Sequence, residues 1–292
     1  MIEKQNLIKK IQRKSMKIRS SGRSSDYITP SFGYGCLFNC SYCYMKRHLS
    51  SGLSISTNAN EILTAINNHV MFSDVEKPNQ THEQYVTYDI SCNEDFALHS
   101  KYHNWRYIFD FFKDHSIAMA TLATKTVPYD FLDYNPNGKV RIRFSLMPQK
   151  MADIHEPNTS KIIDKVRAIN DFIEAGYDVH INFSPVIVTD TWIEDYTQLF
   201  EGVDAIVDRK YKHKVLSEVI FLTHNFKKHR DNMLVNPVTE KDLWVPGKQE
   251  VKISQYGGEN VRYKLGLKSK YIQQFKQLHQ SIIPWNTIRY IF

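Results

Sequence analysis

Thr29-Pro-Ser-Phe-Gly-Tyr-Gly-Cys-Leu-Phe-Asn-Cys-Ser-Tyr-Cys-Tyr44 contains three cysteines, Cys36, Cys40 and Cys43, at C-x3-C-x2-C spacing. Three thiolates at this spacing can each bind one iron of a cubane cluster, because such clusters require soft, deprotonated sulfur ligands. The fourth iron then lacks a protein ligand and is open to a substrate or cofactor. A ferredoxin instead uses a C-x2-C-x2-C run and a further cysteine to complete its ligation. The stretch therefore predicts a [4Fe–4S] cluster with one open iron.

Two other interpretations of the three cysteines stay open at this point. They could form part of a structural zinc site with a histidine, for which His48 is the nearest candidate. Two of them could instead be buried thiols or a disulfide. The surrounding sequence has to decide between these possibilities.

Composition favours a folded protein of a reducing compartment. The 292 residues are 42% hydrophobic, which is enough for one large domain with a buried core. No window approaches eighteen uninterrupted apolar residues, and the N-terminus lacks the apolar segment of a signal peptide. Three of the four cysteines fall within eight residues, which suits no disulfide framework. We therefore expect a cytoplasmic protein with no membrane partner.

The net charge of +7 is concentrated in residues 1–25, a basic N-terminal arm. Such an arm can bind nucleic-acid phosphates through counterion release, independently of sequence. The alternative is a solvated segment that only keeps the protein in solution. Leu7, Ile11 and Ile18 lie at helical spacing, so the sequence predicts a short amphipathic helix within residues 2–19.

After the cysteine stretch, short apolar runs alternate with helical patterns. The predicted strands are 85–91, 118–124, 140–146, 179–188 and 215–222, and the predicted helices are 58–70, 104–113, 160–175 and 191–200. This alternation indicates an α/β fold with a parallel sheet, in which functional residues collect at the C-terminal strand ends. About six such units fit a partial (β/α)6 barrel of the TIM type, which we assign to residues 26–224.

Residues 225–292 break the alternation and form a predicted C-terminal extension. Two extended runs on either side of Gly257-Gly-Glu259 predict a β-hairpin over about 251–264. A terminal helix is predicted near residues 268–283.

The cysteine spacing, with Tyr42 just before the last cysteine, strongly resembles that of the radical S-adenosylmethionine (radical SAM) enzymes. A second stretch, Tyr88-Asp-Ile-Ser-Cys92-Asn-Glu-Asp95, follows a predicted strand and resembles the hydrogen-donor segment of spore photoproduct lyases. Further stretches match that family in the same order: Ala123-Thr-Lys125, Arg141-Ile-Arg-Phe-Ser145, Glu156-Pro-Asn-Thr-Ser160, Glu174-Ala-Gly-Tyr177, Ser184-Pro185, Trp192 with Tyr196 and Leu199-Phe200, His224, and Gln255-Tyr-Gly257. Together they cover roughly residues 27–292.

The resemblance implies a radical SAM carbon–carbon lyase that reverses the thymine photoproduct 5-thyminyl-5,6-dihydrothymine in DNA. Its cofactors would be the [4Fe–4S] cluster and S-adenosylmethionine, with a reductant such as flavodoxin or ferredoxin as electron donor. Cys92 would return a hydrogen atom to the thymine radical. The chemistry of sulfur supports that role, because an S–H bond is weaker than the C–H bond it helps to form, although a fourth cysteine is more often a buried apolar residue. Tyr42 and Tyr44 match tyrosines proposed to pass the radical onward, and their alternative role is packing around the cluster.

Cofactor and substrate contacts carry over from the same resemblance. Lys125 would pair with the methionyl carboxylate, Ser145 would bond the ribose or methionyl end, and the Ser184-Pro185 turn would meet the adenine. Each also has a purely structural interpretation. On the hairpin, the substrate residues would be Tyr256, Gln255, Lys252 and Arg262, a stacking side chain with nearby polar and cationic groups.

Four positions depart from the family pattern. Glu94 and Met147 stand where the family suggests a serine and an asparagine, close to the expected cofactor contacts. Gln255 and Asn260 replace basic residues of the lesion-binding hairpin. A different modified base in DNA or RNA is therefore an alternative substrate, and a non-enzymatic zinc or nucleic-acid-binding protein is an alternative of another class.

Overall fold

The fold was analysed in a computed structural model, which describes residues 8–43, 45, 53–72, 76–100, 102–253 and 257–292. Its strands are β1 (Ile8–Ile11), β2 (Arg19–Ser20), β3 (Tyr27–Ile28), β4 (Gly33–Tyr34), β5 (Leu53–Ser56), β6 (Val86–Asp89), β7 (Ala118–Thr124), β8 (Val140–Leu146), β9 (Asp178–Val186), β10 (Leu216–Phe221), β11 (Thr223–His224), β12 (Gln249–Ile253), β13 (Glu259–Tyr263) and β14 (Thr287–Ile291). Its α-helices are α1 (Ala59–Phe72), α2 (Phe96–His99), α3 (Trp105–Asp114), α4 (Gln149–His155), α5 (Ile162–Glu174), α6 (Trp192–Ile206), α7 (Phe226–Val235), α8 (Glu240–Leu243) and α9 (Leu265–Ile282).

The main sheet has eight strands in the order β14-β10-β9-β8-β7-β6-β3-β2. Strand β6 pairs in parallel with β3 and with β7, β7 pairs in parallel with β8, and β10 pairs in parallel with β14. Two three-stranded sheets, β1-β5-β4 and β11-β13-β12, accompany it. The predicted α/β fold with a parallel sheet is confirmed.

Most predicted elements form within a few residues of the predicted bounds. Strands β7 and β8 have the predicted bounds, and β12 pairs with β13 in the predicted antiparallel hairpin. Helix α5 ends just before Gly176, whose φ of 95° is the left-handed conformation that closes a helix. Helix α6 runs to Ile206, six residues beyond its predicted end.

The predicted helix within residues 2–19 is wrong for the described part of that segment. Ile8–Ile11 forms β1, which pairs in parallel with β5, and Arg19–Ser20 forms β2, which pairs with β3. Three apolar residues at helical spacing are a weak signal, and β-branched isoleucines at both ends of β1 suit an extended strand. Residues 1–7 lie outside the described ranges, and the predicted division at residues 25 and 225 stays a prediction.

The chain divides into two compact units. The first unit comprises Met1–Leu37, His48–Phe144 and Ala168–His180, and the second comprises Phe38–Arg47, Ser145–Arg167 and Ile181–Phe292. Among the described helices, none is long and apolar enough to cross a membrane.

The core of the first unit contains the apolar face of α3. Asn104 caps this helix by accepting a hydrogen bond from the backbone N–H of Tyr107 at 3.2 Å. Trp105, Ile108, Phe109 and Phe112 follow at helical spacing and are all buried. Burial of each such side chain stabilises the fold by roughly 1.5–3 kcal/mol.

The core of the second unit joins α6, α9 and β9 through aromatic rings. Phe200 of α6 lies 5.4 Å from Phe275 of α9 and 5.3 Å from Phe183 of β9, measured between ring centroids. Both contacts are edge-to-face, the arrangement that aromatic quadrupoles favour.

Asp178 in the first unit contacts two basic side chains, and these contacts make the stability of the fold depend on pH. Asp178 accepts a hydrogen bond from Arg141 Nε at 2.7 Å, and its other oxygen lies 3.4 Å from His180 Nε2. Burial pushes the pKa of Asp178 up, but the charges and hydrogen bonds of His180 and Arg141 push it down further, so its pKa is lowered overall.

A lowered carboxyl pKa contributes stability that is present above the unfolded pKa, about 3.9, and is lost as the pH falls through the folded pKa. We expect Asp178→Asn to reduce the free energy of unfolding by about 2 kcal/mol at neutral pH. The difference from the unsubstituted protein should shrink below about pH 4, which urea unfolding at several pH values measures. The control is Asp153→Asn, since Asp153 pairs with Lys161 at an exposed site. A difference for Asp178→Asn that does not change with pH would contradict this assignment.

Candidate active site

The cysteine loop has the donors and the backbone that an iron–sulfur cluster needs. It contains Gly35 with φ 95° and Asn39 with φ 56°, both in the left-handed region. All four cysteines of the chain are described, and none forms a disulfide, so that interpretation of the loop fails. Cys40 is buried, while Cys36 and Cys43 are partly exposed. Partial exposure leaves the thiols of Cys36 and Cys43 accessible, and thiolates are the donors that an iron–sulfur cluster takes.

Cys36 lies at the end of the first unit, and Cys40 and Cys43 lie in the second. Cys43 N–H donates to Cys40 O at 3.1 Å, which closes a turn between these two cysteines. The zinc alternative used His48, which lies outside the described residues.

In the first unit, the turn that contains Cys92 is fastened to the segment before Cys36. Gly35 N–H donates to Asn93 O at 2.9 Å, and Asn93 Nδ2 donates to Ser31 Oγ at 2.6 Å. The neighbours of Cys36 and Cys92 in the sequence are thus joined directly. Cys92 is partly exposed and follows the end of β6, where the sequence placed a functional residue.

Glu94 is the second anchor of this turn. Its Oε1 accepts a hydrogen bond from Gly33 N–H at 2.8 Å, and its Oε2 lies 2.8 Å from His99 Nδ1. The side chains of Glu94 and His99 are both fully buried. The position that departs from the family pattern therefore has a structural role here, in holding the Cys92 turn to β4.

The close approach of Glu94 explains the glycine at position 33. A Cβ atom on Gly33 would lie 1.9 Å from Glu94 Oε2 and 2.6 Å from its Cδ. Its φ is not in the left-handed region, so the constraint is space rather than backbone freedom, in contrast to Gly35.

We expect Gly33→Ala to lower the free energy of unfolding by about 1–3 kcal/mol, because the new methyl group would overlap a buried carboxylate that also pairs with His99. The measurement is denaturant unfolding, with Gly22→Ala as the matched control, since a Cβ on Gly22 has nothing within 4 Å. Glu94→Ala should relieve the crowding in a Gly33→Ala background. Equal stability of Gly33→Ala and Gly22→Ala would refute the close approach.

Asp95 joins the Cys92 turn to the end of β7. Its carboxylate accepts hydrogen bonds from Thr124 Oγ1 at 2.6 Å and from Lys125 N–H at 2.8 Å. The same carboxylate caps α2 through Ala97 N–H at 3.1 Å. Burial raises the pKa of Asp95, against the opposing effect of these hydrogen bonds. Hydrogen bonds between their neighbours thus connect the segments of Cys36, Cys92 and Lys125 within the first unit.

In the second unit, buried polar side chains hold the loop between Cys40 and Cys43. His155 Nδ1 lies 2.7 Å from Ser41 Oγ, and His155 O accepts from Ser41 N–H at 2.9 Å. Asn232 Nδ2 donates to Ser41 O at 2.8 Å, and Lys228 Nζ donates to Cys43 O. Two side chains of α7 therefore bind the backbone carbonyls of Ser41 and Cys43, the residues on either side of Tyr42.

Tyr42 itself donates its phenolic O–H to Glu156 Oε1. Glu156 is buried, and its Oε2 lies 3.6 Å from the buried Lys165 Nζ. Loss of water around the hydroxyl raises the pKa of Tyr42 well above its usual value, and the Glu156 carboxylate raises it further. The phenol is therefore protonated and held in place. Tyr44, the other predicted relay residue, lies outside the described residues.

Two further predicted cofactor contacts lie on adjacent strands of the second unit. Ser145 is buried on β8, and Ser184 is partly exposed on β9. The predicted Ser184-Pro185 turn is wrong, because both residues belong to the strand, joined by a cis peptide bond. Met147, just after β8, is buried.

The hairpin places two of the four predicted substrate residues on one face. Glu250 pairs with Arg262 and Lys252 pairs with Asn260, so these four side chains share a face of β12 and β13. Lys252 Nζ lies 3.2 Å from Glu250 Oε1, and the Arg262 guanidinium lies 5.0 Å from the ring centre of Phe292. Gln255 and Tyr256 lie outside the described residues.

His224, His229 and Glu240 form a group of possible metal ligands in the described part of the second unit. His224 Nε2 lies 3.1 Å and His229 Nδ1 2.6 Å from the same Glu240 oxygen, and Asn232 Nδ2 donates to the other oxygen. These are hydrogen-bond distances to a carboxylate whose two oxygens are both engaged. Hydrogen bonds alone therefore account for the group.

With the geometry of both units described, the chain was compared with known proteins. The family model described as spore photoproduct lyase matches residues 1–292. The chain belongs to the spore photoproduct lyase family. The family resemblance predicted from the sequence is confirmed.

Two relatives of the spore photoproduct lyase family show how similar the chain is to named proteins. The spore photoproduct lyase of Bacillus subtilis (strain 168) is 28% identical over 273 residues, which are 91% of this chain and 73% of the relative. That of Geobacillus sp. (strain Y412MC61) is 26% identical over 253 residues, or 84% of this chain and 70% of the relative.

Solved spore photoproduct lyase structures share the fold. A cysteine variant with bound AdoMet and dinucleoside spore photoproduct has a TM-score of 0.87 at 19% identity, over 98% of this chain and 82% of that one. A complex with dinucleoside spore photoproduct has a TM-score of 0.87 at 21% identity, with the same coverage. The predicted partial barrel is confirmed by this likeness.

Sequence reasoning missed the residues that hold the site together. Glu94 was recognised only as a departure, and His155, Lys228 and Asn232 were not singled out. Polar residues on α7 were a possible signal, since Lys228 and Asn232 are one helical turn apart. Their partners in the loop, 185 and 191 residues away, could not be read from the sequence.

Proposed function

We propose that this chain is a radical SAM carbon–carbon lyase that reverses a thymine–thymine photoproduct in DNA. The observation that carries this function is the family match over residues 1–292, on a chain whose cysteine loop keeps all three thiols. Both relatives are named spore photoproduct lyase, and a solved relative holds AdoMet and the dinucleoside photoproduct. These comparisons support the predicted enzyme class and both predicted cofactors.

Cys36, Cys40 and Cys43 would bind the [4Fe–4S] cluster. When bound, the cluster and S-adenosylmethionine supply a 5′-deoxyadenosyl radical through one-electron cleavage. Lys125 would pair with the methionyl carboxylate, because Asp95 fixes its backbone at the end of β7. Ser145 and Ser184 would contact the rest of the cofactor from β8 and β9.

Cys92 would return a hydrogen atom to the thymine radical after the bond between the two bases breaks. Its S–H bond breaks and a C–H bond forms on the thymine, leaving a thiyl radical on the protein. Its position supports this role, because the hydrogen bond between Gly35 and Asn93 ties the Cys92 turn to the first cluster ligand. It is also partly exposed, unlike a cysteine that only fills a core. Tyr42 and Tyr44 would pass the radical onward from Cys92.

The hairpin would hold the lesion through Tyr256 and Gln255, with Lys252 and Arg262 on one face supplying positive charge. Flavodoxin or ferredoxin would supply the electron, and the cytoplasm would be the compartment. Gln255 and Asn260 stand where the family has basic residues. This difference favours a second candidate function, a radical SAM enzyme acting on another modified base in DNA or RNA.

The function is tested with anaerobically reconstituted protein, S-adenosylmethionine, dithionite and dinucleoside spore photoproduct. We expect 5′-deoxyadenosine to form faster with the photoproduct than with undamaged dinucleoside. Cleavage of S-adenosylmethionine that does not depend on the lesion would favour the second candidate. Absence of cleavage from protein that has bound iron would exclude both.

A further inference from the structure

Helix α7 presents two buried polar side chains to the backbone of the cysteine loop. Lys228 and Asn232 lie one turn apart and are 3% and 1% exposed. Lys228 Nζ donates to the carbonyl oxygen of Cys43, and Asn232 Nδ2 donates to that of Ser41 at 2.8 Å. One helix face thus fixes the carbonyls on both sides of Tyr42.

Side-chain hydrogen bonds hold the first two turns of α7. The side chain of Asn225 caps the helix by accepting a hydrogen bond from the backbone N–H of Lys228 at 2.8 Å. This bond fixes the backbone of Lys228 in the first turn. Asn232 also donates to Glu240 Oε1, and the other oxygen of Glu240 takes the two histidine contacts described above. Burial pushes the pKa of Glu240 up, but these hydrogen bonds push it down further, so its pKa is lowered and the carboxylate stays ionised.

The two side chains differ in what they bring to the loop. An amide carries only a dipole, whereas a lysine side chain in its ammonium form brings a full positive charge next to Cys43. Burial makes this charge act strongly, because little water screens it. The reduction potential of an iron–sulfur cluster depends on net charge, hydrogen bonds and solvent exposure around it.

We propose that Lys228 raises the reduction potential of the cluster held by Cys36, Cys40 and Cys43, and that Asn232 positions the same loop. This inference rests on the proposed function, because it requires the cluster. Reduction adds a negative charge, which the adjacent ammonium stabilises relative to the oxidised state. Lys228 therefore tunes the cluster and makes the first electron transfer easier, whereas the positioning role belongs to Asn232.

The test compares Lys228→Gln with Lys228→Arg in reconstituted, full-length protein. Glutamine keeps a hydrogen-bond donor but removes the charge, whereas arginine keeps both. The midpoint potential of the cluster is measured by a redox titration followed by electron paramagnetic resonance, together with the iron content. A matched control is Lys139→Gln, because Lys139 is also buried and donates to a carbonyl, that of His115 at 2.7 Å.

We expect reduction to become about tenfold less favourable in Lys228→Gln, which is a fall of about 59 mV for one electron. Lys228→Arg and Lys139→Gln should stay close to the unsubstituted protein. An unchanged potential in Lys228→Gln with full iron content would overturn the inference. So would loss of the cluster from Lys228→Gln alone, since the side chain would then shape the loop rather than tune the cluster. Failure of the unsubstituted protein to bind iron would instead refute the proposed function.

Discussion

Cys40→Ala is expected to lose the iron–sulfur cluster and with it all cleavage of S-adenosylmethionine. Cys40 is the most buried of the three loop cysteines, so no water or exogenous thiol can easily replace its sulfur. Reconstituted, unsubstituted protein should contain about four irons with matching sulfide and a broad brown absorbance. The variant should retain little iron, and its 5′-deoxyadenosine formation should fall below detection.

The matched control is Cys92→Ala. It also removes one thiol, but Cys92 is not one of the three proposed cluster ligands. It should bind as much iron as the unsubstituted protein. Full iron content in Cys40→Ala, or stoichiometric zinc in place of iron in the unsubstituted protein, would contradict the assignment of the loop.

Cys92→Ala is expected to separate cofactor cleavage from repair. Formation of 5′-deoxyadenosine should continue, because the cluster ligands are intact, but recovery of thymine should fall by an order of magnitude or more. The thymine radical then lacks its hydrogen donor, so another reductant in the mixture traps it. Mass spectrometry of the products should show adducts, with dithionite in particular.

Cys92→Ser serves as the second variant for this role. A hydroxyl group has nearly the size of a thiol, but its O–H bond is too strong to give up a hydrogen atom to a carbon radical. The serine variant should therefore behave like the alanine variant although it preserves the shape of the turn. Normal thymine recovery in both variants would remove Cys92 from the mechanism.

The sequence predicted the strands that carry the site because their signals are local. The mostly apolar run of β7 and the alternating apolar and polar residues of β8 are both strand signals that can be read within seven residues. The spacing of the three cysteines is likewise local, and it indicates a cluster without reference to any distant segment. Cys92 was placed after the predicted strand β6, where a parallel sheet presents its functional residues, and its role came from the family resemblance.

Contacts between distant segments could not be predicted. Leu7, Ile11 and Ile18 fit a helical spacing, and only the pairing of Ile8–Ile11 with β5 selects a strand for that segment. The structural role of Glu94 could not be predicted, because its carboxylate binds the backbone of Gly33, which lies 61 residues earlier in the sequence. In the sequence, Lys228 cannot be distinguished from a solvent-exposed lysine. Only the structure shows that its Nζ donates a hydrogen bond to the carbonyl oxygen of Cys43.

The most direct test of the central claim is the recovery of intact thymines from dinucleoside spore photoproduct. Reconstituted protein is incubated anaerobically with S-adenosylmethionine and dithionite, and undamaged dinucleoside thymidine and 5′-deoxyadenosine are quantified together. The account predicts lesion-dependent recovery of undamaged dinucleoside, which Cys40→Ala abolishes. Cleavage of S-adenosylmethionine with the photoproduct left unchanged would contradict it.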